Sequence, residues 1–148
     1  MLIASLAVAC TSRESSNNDT AGKTQLAGTW KLLSGTLIEK GDTTTTDYTS
    51  GKSFIKILND THFAFMLHDL NHGKDSSAAF TAGGGKYTLK DRSYTEHLEY
   101  CSARDWEGHN FTFNVEINGD TLIQSGLEKI DSLGVDRLNI EKYVRVKN

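Results

Sequence analysis

The chain has 148 residues, 37% hydrophobic and 9% aromatic, with a net charge of -3. That length holds one domain with room for a real core, since domains mostly run to roughly 100–200 residues. The 16 Lys and Arg are scattered among 19 Asp and Glu, so no basic stripe neutralises phosphates and nucleic acid is not an expected partner.

The chain opens on "MLIASLAVAC", whose apolar run from Leu2 to Ala9 is too short to span a bilayer as a helix. It ends in small residues and a cysteine, as a secretion signal does, and Leu6-Ala7-Val8-Ala9-Cys10 resembles a bacterial lipobox. The resemblance implies that residues 1–10 are a signal peptide with its lipobox cysteine and that Cys10 carries lipid. It also implies a protein tethered in the bacterial cell envelope, on the periplasmic face or the cell surface. Residues 11–25 follow, beginning "TSRESSNNDTAGK" with no large apolar side chain. Such a segment cannot bury enough surface to offset the entropy of ordering, and it reads as a disordered tether. The domain proper is expected over residues 26–148.

The first strand is expected at "GTWKL", from Gly28. "KSFIKIL" (Lys52 to Leu58) and "HFAFMLH" (His62 to His68) flank Asn59-Asp60 as a hairpin, with Phe63, Phe65 and Leu67 on one face. Asp69 to Phe80 reads as a short helix or a long loop. "GGGKYTLKDRSYTEHLEYC" (Gly83 to Cys101) supplies two strands around Asp91-Arg92, its glycines permitting a bend or bulge. "NFTFNVEINGDTLIQSGLEKI" (Asn110 to Ile130) pairs around Asn118-Gly119-Asp120, with Phe111, Phe113, Val115 and Ile117 on one face. In "DRLNIEKYVRVK" (Asp136 to Lys147), Leu138, Ile140, Val144 and Val146 alternate with polar partners. With no proline, 13 glycines and strands in sequence order, the expected fold is all-β. It is an up-and-down antiparallel β-barrel of about 8–10 strands, closed so that no edge invites aggregation.

Gly28-Thr29-Trp30 on the first strand, together with Arg145 near the end of the last, resembles the lipocalin pattern. There, a Gly-x-Trp tryptophan plugs the closed end of the barrel and an arginine lies across its ring. The series "GTWKL", "HFAF", "GGGKYTL", "YTEHLEY", "INGDTLIQSG" and "EKYVRVK" resembles small lipocalin-like lipoproteins of the Bacteroidetes group, over about Leu26 to Lys147. Gly28, Trp30 and Arg145 are then structural residues. The resemblance implies a lipocalin or fatty-acid-binding-protein-like fold and carries no activity.

Along "YTEHLEY", simple alternation puts Tyr94, Glu96, Leu98 and Tyr100 on one face and Thr95, His97, Glu99 and Cys101 on the other. The first set, two phenols, a carboxylate and an aliphatic chain, suits an amphipathic pocket and is the candidate ligand-binding set. A buried Glu96 requires a partner, and Arg104, Lys86 and Tyr87 are the candidates. His68, Asp69 and His72 would converge on a metal only if that stretch were helical, and Gly73 follows at once, so a loop is favoured and no metal or cofactor is assigned. No Ser/His/Asp order, nucleophile elbow, phosphate loop or Cys-x-x-Cys pair occurs, so no catalytic residue is assigned. With Cys10 acylated, Cys101 is a lone thiol.

The function these residues support is a membrane-tethered barrel binding a small apolar or amphipathic molecule. An enzyme or a haem or metal protein on the same barrel, using Glu96, His97, Tyr94 and Tyr100, is the alternative, and a structural lipoprotein with a filled barrel is a third. An apolar interior favours binding. Glu96 or His97 pointing inward beside a second titratable group favours chemistry.

Overall fold

The computed structural model describes residues 22–147. The signal peptide, Cys10 and most of the expected tether lie outside them. Residues 22–26 form one helical turn, so the last four residues of the expected tether, 22–25, belong to the folded part. Leu26 anchors that turn, with its side chain buried beside Trp30 and its carbonyl accepting the indole N–H at 2.8 Å.

Nine strands follow: β1 (Gly28–Glu39), β2 (Asp42–Asp47), β3 (Lys52–Leu58), β4 (His62–Asp69), β5 (Phe80–Lys90), β6 (Ser93–Cys101), β7 (Asn110–Asn118), β8 (Thr121–Ile130) and β9 (Val135–Arg145). All pairings are antiparallel between neighbours, and β1 closes the ring by pairing with β9 over Trp30 to Ile38. The result is the expected closed up-and-down barrel, with eight strands in the ring and β2 as an extra strand on the far half of β1. Eight strands leave an interior just wide enough for side chains or one small ligand.

The turns work as their residues suggest. Asn59 caps the β3–β4 turn, its side-chain oxygen accepting the N–H groups of Thr61 and His62 at 2.9 and 2.7 Å. Gly119 takes a positive φ of 58° between β7 and β8. The stretch between β4 and β5 is a loop, organised by Asp69. Its buried carboxylate accepts the N–H groups of Asn71, Gly73 and Ala79, which together hold its pKa below the ordinary carboxylate range, the Gly73 bond most of all. Its acceptor sites are thus largely engaged within the loop, and the described residues contain no cluster of three or more His, Cys, Asp or Glu placed to hold a metal ion. The β1–β2 hairpin was not legible as strand pairs in the sequence. Its signal is Lys40-Gly41, both with positive φ, as a two-residue hairpin turn requires.

The glycine triplet has a defined job. A Cβ on Gly84 would sit 2.6 Å from the Phe63 carbonyl oxygen, and one on Gly85 would sit 1.9 Å from that of His97. Backbones approach here more closely than any other residue permits, and the pairing with β6 shifts register between Gly84 and Gly85, a β-bulge that leaves Glu99 unpaired.

The core gathers at the end of the barrel where β1 begins. Trp30, Leu58, Phe63, Tyr87, Leu89, Tyr94, Val115 and Leu122 are buried there in contact with one another. Arg145, directly opposite Trp30 across the β1–β9 pair, lays its guanidinium 4.0 Å from the indole centroid. Its N–H groups also donate to the carbonyls of Ala27 at 2.8 Å and Gln25 at 2.5 Å. Gly28 is the third member, because a Cβ at that position would fall 2.6 Å from the guanidinium, and its φ of 138° disfavours other residues. Gly28, Trp30 and Arg145 therefore form one closed floor.

Candidate functional site

Above this floor the barrel encloses a cavity of about 290 Å³, lined by residues of every strand. It lies toward the far end of the barrel from Trp30, the end that holds the β1–β2, β4–β5, β6–β7 and β8–β9 connections.

The base of the cavity is polar, and its centre is Lys56. Two residues from the closed end of β3, Lys56 is 3% exposed and its ammonium donates to Glu96 at 2.5 Å and to Gln124 at 2.9 Å. The rings of Phe63, Tyr94 and Tyr143 surround it at 5.6–5.7 Å. An ammonium removed from water is stable only if its donors and its charge are met, and here a carboxylate, an amide oxygen and three π-faces meet them. The partner of Glu96 is thus Lys56, and none of the three candidates named from the sequence. Arg104 pairs with Glu107 at 3.1 Å, Tyr87 donates to the Asn59 carbonyl at 2.6 Å, and Lys86 is exposed on the outer face. The pair joins residues 40 apart in the chain, which no local spacing reveals. The available signal was a lone lysine inside the apolar run "KSFIKIL".

β9 carries the rest of the polar lining. Arg137, Asn139, Glu141 and Tyr143 face the cavity, while Leu138 and Ile140 face outward. On the outer surface Leu138 pairs with Ile38 on one side and Leu127 on the other. Glu128 of β8 accepts from Arg137 at 2.7 Å and from Asn139 at 2.8 Å. Glu141 accepts the Tyr143 hydroxyl at 2.8 Å. Burial raises the Glu141 pKa above the ordinary carboxylate value; the Lys56 charge opposes the rise, and Glu96 and Glu128 reinforce it. Burial, and then the neighbouring Glu141 charge, pushes the Tyr143 phenol well above its usual pKa. Tyr94, beneath the base, is pushed the same way by burial and then by Glu96.

Aromatic and aliphatic side chains share the lining with these polar groups. Phe54 stacks on Phe65 with centroids 5.8 Å apart and meets Tyr48 edge-on at 5.9 Å. Leu98, Phe111 and Trp106 line the other side, with the Arg137 guanidinium 5.3 Å from the Trp106 ring.

Of the four residues chosen from β6, Glu96 and Leu98 line the cavity and Tyr94 is buried directly beneath it. Tyr100 does not belong to the set. It is 67% exposed, and Cys101, assigned by alternation to the opposite face, is buried and lines the cavity instead. The bulge at Glu99 is the cause, since one extra residue reverses which side chains face inward. Tyr100→Ala should therefore change stability by no more than about 0.5 kcal/mol in urea denaturation, as for an ordinary surface substitution. A loss of several times that would return Tyr100 to the interior. His97 faces outward and hydrogen-bonds Asn110 at 2.8 Å. Cys101 is a free, buried thiol.

No family model matches the chain, and no curated protein matches it in sequence.

Proposed function

We propose that this protein is an envelope-tethered barrel that binds one small amphipathic molecule, its polar end at the base of the cavity and its apolar body between the aromatic walls. The observation that carries the reading is the mixed lining of that cavity: Lys56, Glu96, Gln124 and Glu141 share it with Phe54, Phe65, Leu98 and Phe111. Binding sites of this kind are largely apolar with a few convergent polar groups, and about 290 Å³ is near the lower limit of roughly 300–1,000 Å³ for small-molecule pockets. A barrel filled by its own side chains is less well supported, because its buried polar groups would converge on no space.

Native mass spectrometry of protein purified from its source cells tests the proposal. A small organic molecule should be retained by the native chain and by Tyr100→Ala, and displaced in Leu98→Phe, which thickens a cavity wall while the fold is followed by circular dichroism. A native chain that carries no such molecule and takes up no small amphiphile in titration overturns it.

Acid–base chemistry on the same barrel is the second reading, favoured by one observation: Glu96 points inward beside a second titratable group, Lys56. Against it, these two side chains satisfy each other and His97 lies on the outer face, which leaves Glu141 with Tyr143 as the pair free to move a proton.

The tether rests on the lipobox-like Leu6 to Cys10 and the polar segment after it. Cys10→Ala should abolish membrane fractionation and labelled-palmitate incorporation without unfolding the domain, because the barrel is built from the strands Gly28 to Arg145. Label that persists in Cys10→Ala would refute the anchor.

A further inference from the structure

We infer that the cavity is built for a cationic ligand, an amphipathic molecule whose polar end is an amine or other organic ammonium group, and that Glu141 is the carboxylate it meets. The inference rests on the small-molecule reading above and adds the charge of the head group.

The argument is one of charge matching inside the cavity. Its lining includes two cations, Lys56 and Arg137, and three carboxylates, Glu96, Glu128 and Glu141. Both cations are taken. Lys56 pairs with Glu96 at 2.5 Å, and Arg137 pairs with Glu128 at 2.7 Å. Glu141 is the surplus carboxylate. Among the described residues its hydrogen bond is the one from the Tyr143 hydroxyl, at 2.8 Å, and no cation lies within ion-pair distance.

Glu141 is half-buried, and a carboxylate withdrawn from water without an ion-pair partner either takes up a proton or is met by a cation from elsewhere. The surroundings of Glu141 favour the second partner when one is supplied. Phe54 stands 6.3 Å from the Tyr143 ring and stacks on Phe65, so the cavity that holds the carboxylate is also lined by aromatic rings, whose π-faces attract ammonium groups. An anionic head group would meet the surplus negative charge. The ammonium that could receive it, Lys56, is already neutralised by Glu96 and enclosed by three rings. The same balance makes recognition sensitive to pH. Lys56 on β3, Glu96 on β6, Glu128 on β8 and Tyr143 on β9 act most strongly on Glu141, the phenols of Tyr48 between β2 and β3 and of Tyr94 on β6 are coupled to it as well, and burial with these charges raises its proton affinity. Protonated Glu141 loses its attraction for an ammonium group.

Calorimetric titration of the full chain with three probes of matched shape, phenethylamine, phenethyl alcohol and phenylacetate, tests the inference. Phenethylamine should bind at least about tenfold more tightly than the alcohol, the equivalent of one charge-assisted hydrogen bond, and phenylacetate most weakly. In Glu141→Gln, which keeps the shape and an acceptor for Tyr143, the amine's advantage should vanish. In the native chain the advantage should also shrink as pH falls through the raised Glu141 pKa, because the amine stays charged there; this arm needs no variant to fold. Equal binding of the three probes, or a preference for phenylacetate, overturns the inference and leaves the small-molecule reading standing. An amine preference that survives Glu141→Gln places the cation elsewhere and overturns it too. Failure of all three probes to bind counts against both.

Discussion

Trp30→Ala is expected to destabilise the barrel by about 3–5 kcal/mol, the usual range for truncating a fully buried large aromatic side chain. Trp30 is 0% exposed, and its N–H satisfies the Leu26 carbonyl. Its removal therefore opens a cavity and also loosens the helical turn that closes this end. Arg145→Ala should cost less, about 2–3 kcal/mol. It loses the contact with the ring and leaves the carbonyls of Ala27 and Gln25 without their charged donor. The two changes should not add. The guanidinium lies 4.0 Å from the ring centroid, so each single variant already removes their shared contact, and a coupling of about 0.5–2 kcal/mol is expected. Urea denaturation of the native chain, both single variants and the double variant gives the coupling directly. A value indistinguishable from zero would mean that stacking contributes nothing and that Arg145 acts only through its two hydrogen bonds.

The second large effect concerns Lys56. Lys56→Met should cost about 3–5 kcal/mol, because it leaves the Glu96 carboxylate, 6% exposed, buried without its counter-charge. The double variant Lys56→Met with Glu96→Leu should recover most of that loss. Replacing a whole buried ion pair by apolar side chains of similar volume removes two desolvation penalties together with one attraction, and is often neutral or stabilising. Full recovery is not expected, since Gln124 also loses the ammonium it accepts from. Thermal or urea unfolding of the native chain, Lys56→Met and the double variant decides: a double variant that recovers none of the Lys56→Met loss would mean that the pair stabilises this fold in its own right. In that case the polar base would be part of the core, and the case for a recognition site there would weaken.

The amount of this site that the chain discloses without its fold differs from one strand to the next. β7 was fully legible: Phe111, Phe113, Val115 and Ile117 alternate with polar residues, and three of the four are buried with Ile117 packed against them. β6 was legible as far as Leu98 and then misled, because a bulge leaves no mark in a pattern of period two. The register shift between Gly84 and Gly85 and the close approach of Gly85 to His97 across the sheet show where the alternation reverses. β9 misled in another way. Its apolar residues Leu138 and Ile140 cover the outer surface beside Ile38, Leu127 and Thr36, and its polar residues turn into the cavity. Inside a barrel that holds a polar site, the usual link between apolar and inward does not hold.

Local chemistry alone determined the number and order of most strands, because alternation and turn residues act over a few positions and strands in sequence order close most simply into an up-and-down barrel. The floor was expected only through a resemblance, that of Gly28-Thr29-Trp30 and Arg145 to the lipocalin pattern, and the contacts of Arg145 with the Trp30 ring and the Ala27 and Gln25 carbonyls are what show it. Tertiary structure decided the interior. Lys56 meets Glu96 and Gln124 across separations of 40 and 68 residues, Arg137 meets Glu128, and Glu141 is left as the unpaired carboxylate. Which charges neutralise one another, and which carboxylate is left over, depends on strand register and on one bulge, and those are set by contacts between residues far apart in the chain.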